Sequence, residues 1–442
     1  MKLPTFNDIV GNWEATGLKS KLIFTFVMIV LFRLGAQIPL FGINNQVFMN
    51  LAAGNNIIGF LDMFSGGALG RVSIFALGIG PYITASIIMQ LMTAIIPHLE
   101  TLQKEDGEAG RRKISQYTRI FTVFLAMFQS TIFIAYLHKL PNSIMPHVNP
   151  ALFSVGAIIA LTAGSMLVMW LAELITEKGI GNGGSMLIFV GIIAGIPLYM
   201  DRTATLIAAD PTKQFALFLL LVIFLATLVL IVIMQDAVRK VVIINPKRQV
   251  GNKVYGGVNT FIPFKLNPSG VMPIIFAIAI LLFPQTILGV LGNANIPIPY
   301  FKGAITFISN HILNPNKIPY YLIYFGLIFS LTFFYASIMP NMQPKDIANN
   351  LKKSGSSIPG VKPGKPTADA LDKIISRITF LGALGLGIIA LIPNIASGVT
   401  GITTLQGIGS TSLIIMVGVA LDLINQIKSY SLSKQYEGFL KK

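Results

Sequence analysis

The chain has no cysteine among its 442 residues, and it has only four histidines. The lack of cysteine excludes disulfides, thiolate metal sites and thiol catalysis. The histidines show no metal-ligand spacing, and the HExxH pattern of zinc enzymes is missing. We therefore predict no metal site, no cofactor and no catalytic residue. The histidines are His98, His138, His147 and His311.

Charge is also scarce, because charged residues make up 11% of the chain and hydrophobic residues 53%. The mean hydropathy is +0.72, which excludes an ordinary soluble protein and indicates a membrane protein with several spans. A sliding window of about 19 residues predicts ten spans. Numbered 1 to 10 in chain order, the spans cover about residues 20–38, 73–95, 116–137, 152–172, 184–200, 214–235, 271–291, 319–339, 376–393 and 411–427.

Acidic residues are rarer than basic ones, at 17 against 33. Most of the lysines and arginines lie in connections on the same side as the N-terminus, so the positive-inside rule places both termini in the cytosol. The N-terminal region carries Asp8 and Glu14 and has no small-residue cleavage site, which predicts no cleavable signal peptide. We expect a multi-pass protein of the bacterial inner membrane, with a thylakoid membrane as the alternative.

The apolar run from 63 to 96 is too long for one span. As a continuous helix it would measure about 51 Å, against a hydrocarbon core of roughly 30 Å. Gly66, Gly67 and Gly70 predict a break near its start, followed by a full span from Ser73 to Ile95. A non-spanning piece at membrane depth is tolerated only inside protein or beside a water-filled cavity. The run therefore predicts such a cavity.

Two long cytosolic connections, 239–267 and 340–377, carry patterns that a simple tether does not need. In the first, two β-branched or aromatic stretches flank Gly251 and Asn252 and predict a hairpin. The second predicts a short helix with Gly355 as its C-cap, a stiff proline-rich arm, and Thr367 as the cap of the next helix. These features favour a docking surface for an acidic or nucleic-acid-rich partner. The alternative is that the basic loops only set topology.

The spans divide five and five, which is typical of an inverted repeat in one membrane. The proposed halves are residues 1–200 and 201–442. Span 7 opens with NPSGVMPIIF, so glycine and proline interrupt it as glycine interrupts span 2. Interrupted spans at matching places indicate where the functional site lies.

Five segments of the sequence together resemble one protein family. They are FSGGALGRVSIFALGIGPYITASII, GEAGRRKISQYTR, ITEKGIGNGGS, LKKSGSSIPGVKPGKPT and GSTSLIIMVGVALD. In this order and spacing they resemble bacterial SecY, the large subunit of the protein-conducting channel. The resemblance implies an all-α polytopic membrane protein in which ten transmembrane helices form a clamshell of two pseudo-symmetric, inverted halves around a central pore. It also implies a hinge between spans 5 and 6 and a lateral gate between spans 2 and 3 on one side and 7 and 8 on the other.

The resemblance assigns residues to four parts of such a channel. The plug covers Leu61, Asp62, Met63, Phe64, Ser65, Gly66, Gly67, Ala68, Leu69 and Gly70. The pore ring contains Ile79, Ile83, Ile188, Ile275 and Ile415. Gln90 and Gln129 line the lateral gate, or else they form hydrogen bonds between helices of a closed bundle. The residues assigned to binding a ribosome or motor are Lys247, Arg248, Lys253, Lys352, Lys353, Lys362 and Lys365.

The ring also has a physical rationale. Ile79 and Ile83 are four residues apart and so share one helix face. Isoleucine is stiff at its first torsion and offers ions no hydrogen-bonding group, so a ring of isoleucines forms an apolar gasket that dewets. The chain departs from its relatives at Gly184, where many have isoleucine. This leaves the ring thinner at that point, unless a neighbour such as Met186 fills the space. It also departs at Lys362, where relatives commonly carry arginine, because lysine cannot make a planar bidentate contact.

The implied function is a passive conduit that passes unfolded secretory polypeptides and releases hydrophobic segments sideways into lipid. The implied partners are small SecE-like and SecG-like subunits, the motor ATPase SecA or a ribosome, signal peptides, nascent chains and membrane lipids. The chain itself is not expected to be an enzyme, because GIGNGGS lacks the GK[ST] ending of a phosphate loop and instead suits a helix start and hinge. The alternative is a secondary transporter, but Glu173, Asp236 and Asp422 lie near span ends rather than at span centres.

Overall fold

The chain was analysed as a computed structural model. The structure describes residues 17–44, 62, 65–104, 107–138, 140, 143–145, 149–245, 247–250, 253–256, 259–292, 303, 307–312, 317–338, 343–402 and 409–440. Of the predicted site residues, Leu61, Met63 and Phe64 of the plug lie outside the described residues.

The fold is helical, and every predicted span coincides with a helix. Within the described ranges, seven helices are long and apolar enough to cross a membrane, or eight if one bent pair is counted as a span. The helices of spans 1 to 10 are Leu18–Gly35, Gly80–Ile95, Gly107–His138, Pro150–Lys178, Gly183–Ala209, Gln214–Asp236, Met272–Gly292, Ile318–Ile338, Lys365–Thr400 and Ser410–Leu440. The hydropathy prediction of a polytopic membrane protein is thus confirmed.

Span 2 is shorter than predicted, because its helix begins at Gly80 and not at Ser73. Residues 65–79 form turns instead, and Gly66, Gly67, Val72 and Gly78 all have positive φ, which a helix does not allow. We call residues 71–79 the linker. After Ile95 the chain bends by 104° into a second helix, Pro97–Lys104. Hydropathy could not reveal the late start, since the linker is as apolar as the helix that follows it.

One large apolar cluster joins spans from both ends of the sequence. Span 7 contacts spans 2 and 3 as well as spans 8 and 10. Span 10 contacts span 5, and span 6 contacts spans 9 and 10. Span 7 is therefore a central element, and it lies where the predicted lateral gate would be.

The two long connections, 239–267 and 340–377, fold into one unit. Strands β1 (Val238–Ile243) and β4 (Thr260–Lys265) pair antiparallel, and so do β2 (Lys247–Val250) and β3 (Lys253–Gly256), which confirms the predicted hairpin. The turn itself, Gly251 and Asn252, lies outside the described residues. An apolar cluster that includes Phe264, Leu351 and Leu371 joins the hairpin base to the second connection.

The second connection contains the predicted short helix, Pro344–Ser354, and Gly355 ends it as a C-cap with φ 71°. A further prediction was wrong, because Thr367 does not cap span 9. That helix begins at Lys365, two residues earlier, with Gly364 as its N-cap. The Thr367 hydroxyl donates instead to the Lys362 carbonyl at 2.8 Å, because Thr367 already lies inside the first turn.

Candidate functional site

All five predicted ring isoleucines lie in or against the large apolar cluster. Ile79, Ile188, Ile275 and Ile415 are buried members, and Ile83 packs against them half-buried. They come from the start of span 2 and from spans 5, 7 and 10, which are distant in sequence. The structure therefore places all five in one apolar cluster, and their arrangement as a ring stays a prediction.

Gly184 lies beside one of the predicted ring residues, Ile79. A Cβ atom built on Gly184 would lie 3.4 Å from Cδ1 of Ile79, an ordinary van der Waals distance. Met186 also packs against the same cluster. The side chain of Ile79 thus reaches toward the space beside Gly184.

The described part of the plug, Asp62 and residues 65–70, is a compact set of turns closed by its own polar groups. The Asp62 carboxylate accepts a hydrogen bond from the Gly70 N–H at 2.6 Å, and the Ser65 hydroxyl accepts one from the Leu69 N–H at 2.9 Å. Burial raises the pKa of the Asp62 carboxyl, and the hydrogen bond from Gly70 opposes that rise. The segment is therefore ordered by contacts that do not require a helix.

The predicted plug shares an apolar cluster with the predicted ring. Ala68 is fully buried and belongs to the same apolar cluster as the ring isoleucines. The linker between plug and ring is held from outside: the Leu40 N–H donates to the Val72 carbonyl at 2.9 Å, and the Ser165 hydroxyl donates to the Gly78 carbonyl at 3.3 Å. The linker that joins the predicted plug to Ile79 is thus fixed by hydrogen bonds to other parts of the chain.

One plug contact was not predicted from the sequence. Nη1 of Arg33, in the last turn of span 1, donates to the Gly66 carbonyl at 2.6 Å. The sequence does carry a signal for such a residue, because a charged side chain within an apolar span marks a functional position by default.

The predicted gate residues Gln90 and Gln129 are both half-buried. Gln90 donates to the Ser86 hydroxyl of its own helix at 3.3 Å. Spans 2 and 3, which carry them, both touch span 7. The two sides of the predicted gate are therefore in contact.

The GIGNGGS segment starts a helix, as predicted. Asn182 caps span 5, and its side chain accepts a hydrogen bond from the Ser185 N–H. The same segment meets span 10, because the Gly181 N–H donates to Oε1 of Gln426 at 2.8 Å. Nearby, the Lys21 ammonium lies 4.6 Å from the centre of the Tyr430 ring. These contacts join the first and second halves of the sequence.

The connection between spans 5 and 6 is a short 3-10 turn, Pro211–Lys213. The Asp210 carboxylate caps it by accepting hydrogen bonds from the Thr212 hydroxyl and the Thr212 N–H, at 2.5 and 3.3 Å. The bond from the Thr212 hydroxyl lowers the pKa of the Asp210 carboxyl. The place of the predicted hinge is thus a tight, capped turn.

The predicted docking residues lie on the unit formed by the two long connections. Lys352, Lys353, Lys362 and Lys365 are exposed. Lys247, Arg248 and Lys253 lie on β2 and β3 of the hairpin. The Ser356 hydroxyl donates to Oδ1 of Asn245 at 2.9 Å, which fastens the two connections together.

Acidic groups are not gathered into a reactive site in the described part of the chain. No group of three or more histidine, cysteine, aspartate or glutamate residues there is arranged to hold a metal ion. Glu173 forms an ion pair with Arg119 at 2.9 Å, between spans 4 and 3. Asp236 is the last residue of the span 6 helix.

Comparison with known proteins identifies the family. The family model of SecY matches residues 73–424. The protein translocase subunit SecY of Synechocystis sp. is 45% identical over 430 residues, covering 97% of this chain and 95% of the relative.

Two solved structures share the fold. One, described as a protein conducting channel, has a TM-score of 0.67 at 20% sequence identity and covers 94% of this chain and 93% of that one. The other is Sec61 in the canine ribosome-channel complex from the endoplasmic reticulum, with a TM-score of 0.61 at 17% identity and the same coverage of 94% and 93%. The sequence match covers most of the chain at high identity, and the fold agrees with it. This chain is a member of the SecY family.

Proposed function

We propose that the chain is the central subunit of a protein-conducting channel, which moves unfolded secretory polypeptides across a membrane. The observation that carries this proposal is the single apolar cluster that contains four isoleucines from spans 2, 5, 7 and 10 together with Ala68 of the plug. A passage lined by such side chains excludes ions by dewetting, yet it cannot select among polypeptide sequences. Uptake of a secretory precursor into protease-protected vesicles containing the purified channel, its companions and a motor tests the proposal.

In this mechanism the channel has two seals. The ring of Ile79, Ile83, Ile188, Ile275 and Ile415 grips the passing chain, and the plug covers the ring at rest. Hydrophobic segments leave between spans 2 and 3 and spans 7 and 8, past Gln90 and Gln129. Their exit requires no catalysis, because insertion at a span centre costs from about −0.6 kcal/mol for leucine-like residues to about +3 kcal/mol for charged ones.

The two halves, 1–200 and 201–442, open about the capped turn at Pro211–Lys213. Both termini face the cytosol of a bacterial inner membrane, which the concentration of basic residues on one side supports. SecE-like and SecG-like subunits accompany the chain in lipid. A ribosome or SecA binds the cytosolic unit, and the structural likeness to Sec61 in a ribosome-channel complex supports this.

The chain acts without enzymatic activity of its own, so its driving force comes from the bound ribosome or motor. The alternative of a secondary transporter lacks a supporting observation. Its coupling would require ionisable groups at span centres. Glu173 instead pairs with Arg119, and Asp236 ends its helix.

We expect the double charge reversal Arg248→Glu and Lys362→Glu to weaken ribosome or SecA binding roughly tenfold at low salt, because phosphate and carboxylate partners meet like charge. Affinity measured with the channel in nanodiscs at matched salt checks this. The matched control is Arg202→Glu with Lys317→Glu, which makes the same change of charge in the last part of the span 5 helix and just before span 8, on the side assigned as opposite to the docking loops. Equal affinity for both double variants would mean that the basic loops only set topology.

A further inference from the structure

Arg33 is a charged side chain in the last turn of span 1, where no acidic partner lies in the same helix. Its Nη1 donates to the backbone carbonyl of Gly66 at 2.6 Å, across 33 positions of sequence. Hydrogen bonds from a charged donor are shorter and about twice as strong as neutral ones. The Arg33 guanidinium thus makes a charge-assisted hydrogen bond to one backbone carbonyl of the plug.

Gly66 fits this contact only because it has no side chain. A Cβ atom there would lie 3.2 Å from Nη1 of Arg33 and 3.2 Å from the Cα of Gly191 in span 5. The residue also has φ 70°, a conformation that glycine adopts without strain. The plug backbone therefore sits between span 1 and span 5 at one point. We call the contact of Gly66 with Arg33 and Gly191 the seat.

The plug is braced so that force on Gly66 acts on the whole described segment. The Gly67 N–H donates to the Asp62 carbonyl at 2.9 Å, and the Asp62 carboxylate accepts from Gly70 at 2.6 Å. The Ser65 hydroxyl donates to the Asp62 carbonyl at 2.8 Å. The Ser73 N–H donates to the Ala68 carbonyl at 2.9 Å and ties the segment to the linker, and the bond from Arg33 at Gly66 ties it to span 1.

We infer that Arg33 is a positioning residue that latches the plug through the Gly66 carbonyl, and that release of this latch is a step in channel opening. This inference rests on the proposed function of a plugged channel. Arg33 does not touch the passing polypeptide in this scheme. It sets how often the plug leaves its seat.

The first test compares ion conductance of purified channels in planar bilayers. Arg33→Gln removes the guanidinium, and we expect the resting conductance to rise roughly tenfold, since one charge-assisted hydrogen bond is lost. Arg33→Lys keeps a cationic donor and should restore part of the seal. The matched control is Arg111→Gln, which removes the same charge from an exposed side chain near the start of the span 3 helix, outside the plug and the linker, and should stay near wild type.

A glycine pair tests the seat independently. Gly66→Ala adds a methyl group against Arg33 and Gly191, whereas Gly67→Ala has φ 84° and open space around its Cβ. Both variants carry the strain of a side chain at positive φ. The difference between their resting conductances therefore reports only the contact of Gly66 with Arg33 and Gly191. In the double variant with Arg33→Gln, Gly66→Ala should add little, because the two changes break the same contact.

The second readout is how fast a thiol introduced into the plug is labelled. Because the sequence has no cysteine, the introduced thiol reacts without background from other residues. Ala68→Cys provides the only thiol at a fully buried position. We expect a membrane-impermeant maleimide to label it roughly tenfold faster when Arg33→Gln is also present, with an unchanged thermal unfolding midpoint. Unchanged labelling and conductance in Arg33→Gln would overturn the latch.

A deletion separates this inference from the proposed function. A channel that lacks residues 62–70 should leak strongly if the segment is a plug at all. Leak in the deletion without leak in Arg33→Gln refutes the latch and leaves the plug in place. A tight deletion variant refutes the plug itself.

Discussion

Replacing Ile79, Ile83 and Ile275 with serine raises the ion conductance of the resting channel by roughly tenfold or more, because hydroxyl groups let water wet a ring that aliphatic side chains keep dry. The three residues come from spans 2 and 7, and all of them lie in or against the large apolar cluster. Current through single purified channels in planar bilayers is the measurement.

The control for this prediction uses isoleucines that face outward. Ile120, Ile159 and Ile193 are 68%, 63% and 41% exposed on spans 3, 4 and 5. Replacing all three with serine removes the same aliphatic side chains from the outward surface of the helices and leaves the ring intact. If the outward triple conducts as much as the ring triple, the gasket assignment is wrong and loss of stability explains the leak.

Replacing Gly164 with alanine destabilises the protein by about 3 kcal/mol, toward the upper end of overpacking costs. A Cβ atom on Gly164 of span 4 would overlap the carbonyl oxygen of Ile74 in the linker. Backbone atoms cannot swing aside as a flexible side chain can, so span 4 and the linker must separate. The unfolding rate in mild detergent at elevated temperature measures the effect, and the same variant should also leak.

Gly156 offers a matched control in the same helix. A Cβ atom there meets nothing within 4 Å, and the residue is exposed. Gly156→Ala should therefore leave stability unchanged or slightly improved, since alanine favours helix. Equal effects at Gly164 and Gly156 would contradict the close approach of span 4 to the linker.

Much of the fold follows from local sequence. The spans are long apolar runs, and their helical state needs no knowledge of neighbours because lipid forces backbone groups to pair within the helix. Asn182 and Gly355 cap helices through contacts within four residues, so their roles could also be predicted. The ring isoleucines were grouped by family resemblance, since an isoleucine in a membrane span otherwise indicates only packing.

The parts that the sequence did not predict depend on contacts across distant positions. Hydropathy counted residues 73–79 as span, but backbone pairing of the linker with residues 38–40 keeps it out of the helix. The Gly66 carbonyl is a backbone acceptor, so no side-chain pattern points to it as a partner for Arg33. Thr367 matched a capping pattern, but the helix begins at Lys365, after Gly364.

The position of the seat in the sequence also determines which part of the channel is synthesised first, the seat or the ring. Both partners of Gly66 in the seat, Arg33 and Gly191, lie in the first half of the sequence, whereas the predicted ring needs Ile415. At roughly 5–20 residues per second, translation leaves an interval of roughly 10 to 45 s between Gly191 and Ile415. During that interval a growing chain can seat its plug before its ring exists. In a newly made channel the predicted plug is therefore in place before the predicted ring is complete.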